Sequence, residues 1–502
     1  MRYLSSILFT FLLFISVNAS ALNATFSYNI FYSPEIGHYV ETCLLIDAST
    51  LRYEKMEDEN YLGQVNITIM FKKGDDVVNF SKVRVNSPAQ EEIEKTGSFM
   101  DFQRFLLPKG VYDMEIIIAD AAEPDKESTH EERIDVGFEE NEIGISSIEL
   151  LHSYEPAPEG TSSKLEKNGY ILTPKVINYY GHTDDFIPFY FEIYNSDKVL
   201  AKDSALLVYY YIRSFETKHT MNNLARFKKS ELKNISTFLT RFDVRDLPSG
   251  NYEMCVEVRN KENQIVAQKE VFFYRNNPNV SFDTDDLSAI QIENTFTSKY
   301  TSIDSLREYV RMLLPIATKL EKEFFLSQLP TADVDLLQRI LYNFWLERNE
   351  LNPEYEWTVY KEAVEVVNRS FSVVRTKGYE TDRGRVYLQY GAPSIIVDRA
   401  YDTGGTEGAY NTNGVDYQDG GTVPYQIWHY DNLGTQKNRR FVFANKHIAA
   451  QTYELIHSDA IGEIYNSQWQ AELSRSTYNS RLNTGEYDKF GGKSGEYYHV
   501  PY

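Results

Sequence analysis

Residues Leu107-Pro108-Lys109-Gly110-Val111-Tyr112-Asp113-Met114-Glu115-Ile116 return further along the chain as Leu247-Pro248-Ser249-Gly250-Asn251-Tyr252-Glu253-Met254-Cys255-Val256. A block that recurs with Pro, Gly and Tyr in register implies two copies of one folding module. Pro and Gly set a turn. The Tyr two residues past the Gly stands where a β-sandwich buries the ring and bonds the hydroxyl back to the connecting loop. The surrounding pattern agrees. Val65 to Phe71 alternates apolar and polar residues like a half-buried strand, and the unbroken run Ala205 to Ile212 reads as a strand buried on both faces. From Ala24 to Pro278 the expectation is two tandem all-β, immunoglobulin-like sandwiches, residues 22–150 and 151–280. Such modules act as spacers or adhesive surfaces, and the fold alone selects neither. The cluster Tyr209, Tyr210 and Tyr211 is read as core packing rather than as a binding surface.

A chain of 502 residues is long enough for three or four folded units. Its first residues read as a signal peptide, 1–21: Met1-Arg2 carries the charge, Leu4 to Val17 is almost wholly apolar, and Ala19-Ser20-Ala21 supplies a cleavage site. That apolar stretch is shorter than the roughly 20 residues a membrane helix needs, so no integral membrane span is expected. No Cys directly follows the cleavage site, the first being Cys43, which disfavours a lipoprotein anchor. Export permits disulfides, but the two cysteines, Cys43 and Cys255, fall in different modules and are expected as buried thiols. The net charge of -22 excludes nucleic acid as a partner, because it repels phosphate. Part of the excess lies between Asp120 and Glu142, which reads as a solvated hairpin loop and edge. The run lacks the Asp-x-Asp-x-Asp-Gly order of a calcium loop.

Helical periodicity takes over across 281–375. Leu306, Tyr309, Val310 and Leu313 form one stripe, and Pro315 should interrupt it before Ile316, Leu320 and Phe324. A second helix is expected from Pro330-Thr331, with Thr331 as cap and Leu337, Ile340, Leu341, Phe344 and Trp345 along its face. A third should open at Asn352-Pro353-Glu354 and run to about Phe371 through Tyr355, Val359, Ala363, Val366 and Val367.

The stretch Gly378-Tyr379-Glu380-Thr381-Asp382-Arg383-Gly384-Arg385-Val386-Tyr387-Leu388-Gln389-Tyr390-Gly391-Ala392-Pro393 resembles the signature of the GWxTD-domain family of bacterial envelope proteins, of the Bacteroidota type. Phe344-Trp345 upstream, the aromatic strand Tyr425 to Tyr430, Phe441-Val442-Phe443, Tyr453 to Ser458 and Gly462 to Trp469 continue the likeness over residues 330 to 473. Tyr379 stands where the family has its Trp, so the position keeps an amphipathic ring and offers a hydroxyl in place of an indole N–H. The resemblance implies a C-terminal α+β domain, 376–473, in an exported or envelope-associated protein, and no established activity.

Taken as chemistry of the backbone, the motif is structural. Thr381 can cap a short helix, Asp382 favours its positive end, Gly391 ends it and Pro393 prevents its continuation. A strand reading of Arg385 to Gln389 competes, and the caps favour the helix. Asp382, Arg383 and Arg385 are expected to pair among themselves. Thus Gly378, Tyr379, Thr381, Asp382, Arg383, Gly384, Arg385, Gly391 and Pro393 are assigned to structure.

No catalytic motif, cofactor or metal site is expected. The C-terminal part has no Cys and no Gly-x-Ser-x-Gly elbow, and His429, His447, His457 and His499 lack the spacing of metal ligands on one helical face. His457 beside Asp459 reads as a satisfied surface His rather than an acid–base pair. The Gly-rich stretch from Arg399 to Pro424, with Tyr401, Tyr410 and Tyr417, and the flexible Tyr/Gly-rich tail 474–502, with Tyr497, Tyr498 and Tyr502, have the composition of adaptable partner-binding loops. The leading expectation is a non-enzymatic subunit of a Gram-negative envelope assembly, periplasmic and bound to the outer membrane through partner proteins, in outer-membrane protein biogenesis or secretion. The rivals are a periplasmic or surface carbohydrate-binding protein and an enzyme with a site near Asp382. No small-molecule ligand is indicated.

Overall fold

A computed structural model describes residues 22–399 and 423–473, except 57–59, 91–96, 140, 159, 161–162, 201–205, 283–286, 288–289, 435, 447–451 and 467. The expected signal peptide, the Gly-rich stretch with Tyr401, Tyr410 and Tyr417, and the tail with Tyr497, Tyr498 and Tyr502 lie outside the described residues. The molecule is mostly β-sandwich sheet, with helices between the second sandwich and the C-terminal sheet.

The first sandwich uses β1 (Ala24–Ser33), β2 (Gly37–Ile46), β3 (Tyr53–Lys55), β4 (Tyr61–Lys73), β5 (Asp76–Asn86), β6 (Phe99–Leu106), β7 (Gly110–Asp120) and β8 (Ser128–Val136). One sheet has the order β1-β2-β6. The other has the order β3-β4-β7-β8, with β5 also on β4. The alternation read in the sequence is the packing: Val65, Ile67, Ile69 and Phe71 of β4 are all at 0% exposure and meet Val40, Leu44 and Ile46 of β2 in one core. Asp120 departs from the solvated reading of the acidic run. It is buried, and its carboxylate accepts the N–H groups of Arg52 (2.7 Å) and Ala122 (2.9 Å).

The second sandwich comprises β9 (Gly144–Ile145), β10 (Glu149–Pro156), β11 (Glu166–Lys167), β12 (Tyr170–Pro174), β13 (Tyr179–Tyr180), β14 (Phe186–Tyr194), β15 (Leu206–Ser214), β16 (Thr220–Ser230), β17 (Ile235–Asp243), β18 (Gly250–Arg259) and β19 (Ile265–Arg275). Because β9 and β10 pair with β14, this sandwich begins inside the span 22–150. Its sheet orders, β10-β14-β17 and β19-β18-β15-β16, repeat β1-β2-β6 and β8-β7-β4-β5. The repeated Tyr closes the same corner twice: Tyr112 donates to the Pro108 carbonyl at 2.7 Å, and Tyr252 to that of Pro248 at 3.1 Å. The Tyr cluster divides by pleat. Tyr210 joins the core, while Tyr209 and Tyr211 stack on the outer face with Phe227, so β15 is not core on both sides. Cys43 and Cys255 are free, buried thiols.

Helices α1 (Ile303–Leu313), α2 (Lys319–Gln328), α3 (Val334–Arg348) and α4 (Pro353–Phe371) pack around Phe344, Trp345 and Trp357. Pro315 does break the first stripe, and Asn352 caps α4. Two expectations fail. Asp333, not Thr331, caps α3, because the Thr331 and Ala332 N–H groups still close the last turn of α2 on the Gln328 carbonyl. On α4 the buried stripe is Trp357, Tyr360, Val364 and Val367, and Tyr355, Val359 and Val366 face outward. The two rings with the most apolar area set the register.

After α4 a short 3-10 turn, Gly378–Glu380, leads into α5 (Asp382–Tyr390), so the helix reading prevails over the strand reading. An antiparallel sheet follows in the order β20 (Ile395–Arg399), β21 (Tyr425–Leu433), β22 (Gln436–Ala444), β23 (Glu454–Ser458), and the one-turn α6 (Trp469–Leu473) covers one face. Val386 of α5 packs on Trp428, Phe441 and Phe443 of the other face.

Candidate functional site

The motif residues form a joint between α4, α5 and the C-terminal sheet. Glycine is required at two places by contact rather than by conformation. A methyl group on Gly378 would overlap the Val367 carbonyl, and one on Gly384 would overlap the Gly378 carbonyl. Thr381 locks the turn, accepting from the Gly384 N–H (3.1 Å) and donating to the Gly378 carbonyl (2.7 Å). Gly391 ends α5 at φ +81°. Pro393 follows in the connection to β20. Tyr379 is buried and donates from its hydroxyl to Glu308 Oε1 at 3.1 Å. Burial, then the charge of Glu308, pushes that hydroxyl above the ordinary tyrosine range.

The expected pairing among Asp382, Arg383 and Arg385 does not occur. Asp382 and Arg385 lie one turn apart on the helix, and each takes a partner from beyond it, Leu455 and Glu463, instead of the other. Asp382 accepts the Leu455 N–H of β23 at 2.8 Å. Arg383 lies over the rings of Phe371 and Tyr453, with its guanidinium 4.2 Å from the Tyr453 centroid. Arg385 forms a two-pronged ion pair with Glu463, at 2.7 and 2.8 Å, and Tyr390 donates to the same carboxylate at 2.9 Å. Adjacent to Glu463, Gly462 packs toward Phe215 and Phe272 of the second sandwich. Tyr465 reaches His130 of the first at 3.0 Å.

His457 is buried rather than superficial. Asn466 N–H donates to its Nδ1 at 3.1 Å, and its ring stacks on Trp469. Burial and then Arg440 push it down to about 4, so it is a neutral imidazole. Asp459 pairs with Arg440 (3.0 Å).

A second joint escaped the sequence reading. Between the sandwiches, Lys167 contacts Glu41 at 2.5 Å and Glu149 at 2.7 Å, with all three buried, and Arg104 reaches Glu41 at 2.6 Å. The Lys167 ammonium also lies 3.8 Å from the Phe31 ring centroid. Burial works against the charge on Lys167, yet Glu149 and Glu41 hold it above the ordinary lysine value. Burial pushes Glu149 up, against the pull of Lys167. Nearby, Tyr194 donates to Glu192 at 2.7 Å and accepts the Tyr32 N–H at 3.0 Å. The signal was present in the sequence: Glu41 and Glu192 interrupt otherwise apolar strands, and a buried charge demands a partner.

One further cluster, Glu253, Cys255 and Glu270, has ligand-type atoms within 4.8 Å of one another. Its cation position is filled by protein. Arg213 contacts Glu253 at 2.7 Å and Glu270 at 2.6 Å, and Lys218 contacts Glu253 at 2.9 Å. Burial pushes the Cys255 thiol up to about 12, far from the thiolate a metal or an electrophile requires.

No family model matches the chain, and no curated protein matches it. Among solved structures, a red sea bream transglutaminase is similar at 7% identity and a TM-score of 0.17, over 51% of this chain and 31% of its own. The chain thus spans less than a third of that protein's length. Fibronectin(III)-like modules of Clostridium thermocellum CbhA are similar at 8% identity and a TM-score of 0.13, over 48% of this chain and 89% of theirs. Likeness at these scores carries no argument about activity.

Proposed function

We propose that the chain is a non-enzymatic structural and interaction subunit of a Gram-negative cell-envelope assembly, exported and held at the outer membrane through partner proteins. In this reading residues 376–473 form a GWxTD-type domain behind two immunoglobulin-like sandwiches, and outer-membrane protein biogenesis or secretion is the process such an acidic scaffold suits. One observation carries it. The motif's charged and hydroxyl side chains are engaged within the fold, by Leu455, Tyr453, Glu463, Gly378 and Glu308. A residue set committed to joining parts acts as framework. The test is crosslinking in the envelope followed by affinity purification. Reproducible recovery with outer-membrane proteins supports the reading, and recovery as a lone monomer without membrane association overturns it. If an enzyme site lay at Asp382 instead, Asp382→Asn would abolish an activity without lowering thermal stability.

A second reading, carbohydrate binding, has one feature in its favour. Phe227, 58% exposed, continues the ring stack of Tyr209 and Tyr211 on the outer face of the second sandwich. Specific retention of a glycan on an array, lost in Phe227→Ala, would support it.

A further inference from the structure

On the outer face of the second sandwich, Tyr211, Tyr209 and Phe227 stack in that order, with ring centroids 4.7 and 4.9 Å apart. Phe227 stands on β16, the last strand of its sheet, and is 58% exposed. Tyr209 covers one face of its ring. The other face turns to solvent at the sheet edge, and no second ring lies over it among the described residues.

Register decides which charges share that side. Tyr209 is opposite Phe227 and Leu207 is opposite Lys229, so Lys229 points to the same side as Phe227, about 7 Å further along the strand. Lys229 is exposed and has no ion-pair partner among the described residues. The neighbouring cations point the other way: Arg226 and Lys228 cover the open side of the sandwich, over the rings of Phe242 (5.8 Å) and Phe238 (5.0 Å). The acid opposite Tyr209, Glu257, is 7% exposed and already accepts from the Tyr211 hydroxyl at 2.7 Å and from Arg259 Nε at 2.9 Å. The platform thus offers an open ring face and one unengaged positive charge.

The backbone edge beside it is guarded against a further strand. The Phe215 N–H donates to the Asn251 carbonyl, so odd-numbered residues of β15 bond β18, even-numbered ones bond β16, and odd-numbered residues of β16 turn their carbonyls outward. Arg226 Nη1 holds the outward Ala225 carbonyl at 2.8 Å and the Asn223 carbonyl at 3.1 Å. An added polypeptide strand would have to displace that guanidinium.

An aromatic face carries negative charge and attracts partial positive charge, whereas Lys229 attracts an anion and repels a cation. One ligand chemistry meets both demands: a sugar ring whose C–H groups cover Phe227 and whose carboxylate reaches Lys229. We propose that this platform binds a carboxylated pyranose, a uronic-acid unit of an acidic polysaccharide. The inference rests on the carbohydrate reading of this face and adds to it the charge of the sugar.

The test applies the full chain to an array of uronate-containing oligosaccharides, their carboxyl-reduced forms and a polyglutamate peptide. Retention should be confined to the carboxylated sugars and fall about tenfold or more on carboxyl reduction or in Lys229→Glu. Phe227→Leu, which keeps an apolar contact with Tyr209 but no flat face, should weaken it similarly, and Phe227→Tyr should retain it. All three variants should keep their thermal stability, since both side chains are exposed. Equal retention of the carboxyl-reduced forms overturns the proposal and leaves the carbohydrate reading standing, whereas retention of no glycan overturns both. Retention that survives Lys229→Glu and Phe227→Leu places the site elsewhere and overturns it too. So does polyglutamate binding as tightly as the uronates, because an acidic polypeptide is then the occupant.

Discussion

Lys167 and Gly384 each stand where two parts of the chain meet, and they join those parts by opposite means. At Lys167 a buried cation holds two carboxylates, one from each sandwich, in a setting where any unpaired charge is costly. At Gly384 the joint works because a side chain is missing, which lets α5 close on the turn before it, and neighbouring side chains then tie α5 to β23 and Glu463. The first joint depends on charge balance and hence on pH and substitution chemistry. The second depends on shape and should respond to volume.

Gly384→Ala should have the largest effect. Its methyl group would overlap a backbone carbonyl, which no side-chain rotation relieves, so α5 must move away and take the contacts of Asp382 and Arg385 with it. We expect a loss above about 4 kcal/mol in urea unfolding. A loss below about 1 kcal/mol would show that the joint is not shape-limited.

Lys167→Met tests the other joint and should cost about 3–5 kcal/mol at neutral pH, because Glu41 and Glu149 are left buried and uncompensated. Glu149, already pushed up by burial, then loses the pull of Lys167 and is raised further above its unfolded value. Its neutral form is compatible with burial, so stability should be regained as pH falls toward the ordinary carboxylate range and lost again as pH rises. Adding Glu149→Gln should recover part of the loss. Additivity of the two substitutions would separate Lys167 from Glu149 and break the comparison.

How far these joints were legible depends on the range of the interaction that makes them. The Tyr corners, the Asn352 and Thr381 caps and the Gly391 stop were readable, because each is completed within a few residues. The partner of Arg385 was not, since Glu463 lies on the far side of the C-terminal sheet in sequence and nothing local marks it. The face of α4 was misread because Tyr355, Val359 and Val366 offer an apolar stripe beside the one chosen by Trp357 and Tyr360. The charge joint was half-visible: Glu41 and Glu192 announced a buried network without naming Lys167 as its cation.

His457 brings pH dependence to the C-terminal side of the comparison. Its pKa falls from 6.5 unfolded to about 4 folded, chiefly through burial. Its contribution is intact above pH 6.5 and lost as pH drops toward 4, since the unfolded chain takes up a proton that the folded one refuses. At about 1.4 kcal/mol per pH unit this is about 3 kcal/mol across the interval. His457→Gln, which can still accept from Asn466, should flatten the acid limb of a stability–pH curve. An unchanged limb would place the acid sensitivity elsewhere.

The smallest effects should come from the repeated corner, where removing one hydroxyl costs about 1 kcal/mol. The two copies should not respond equally. At Tyr112 burial alone raises the hydroxyl's pKa. At Tyr252 burial acts together with Glu216, and the ring stacks on Phe273 inside the second core. A Phe at 252 leaves the Pro248 carbonyl in the more enclosed setting, where an unmet acceptor costs more than at a surface turn. Tyr252→Phe should therefore exceed Tyr112→Phe in thermal unfolding, with both below the losses at either joint. Equal losses would mean that the corner's worth is set by the repeated turn itself and not by what each sandwich has packed around it.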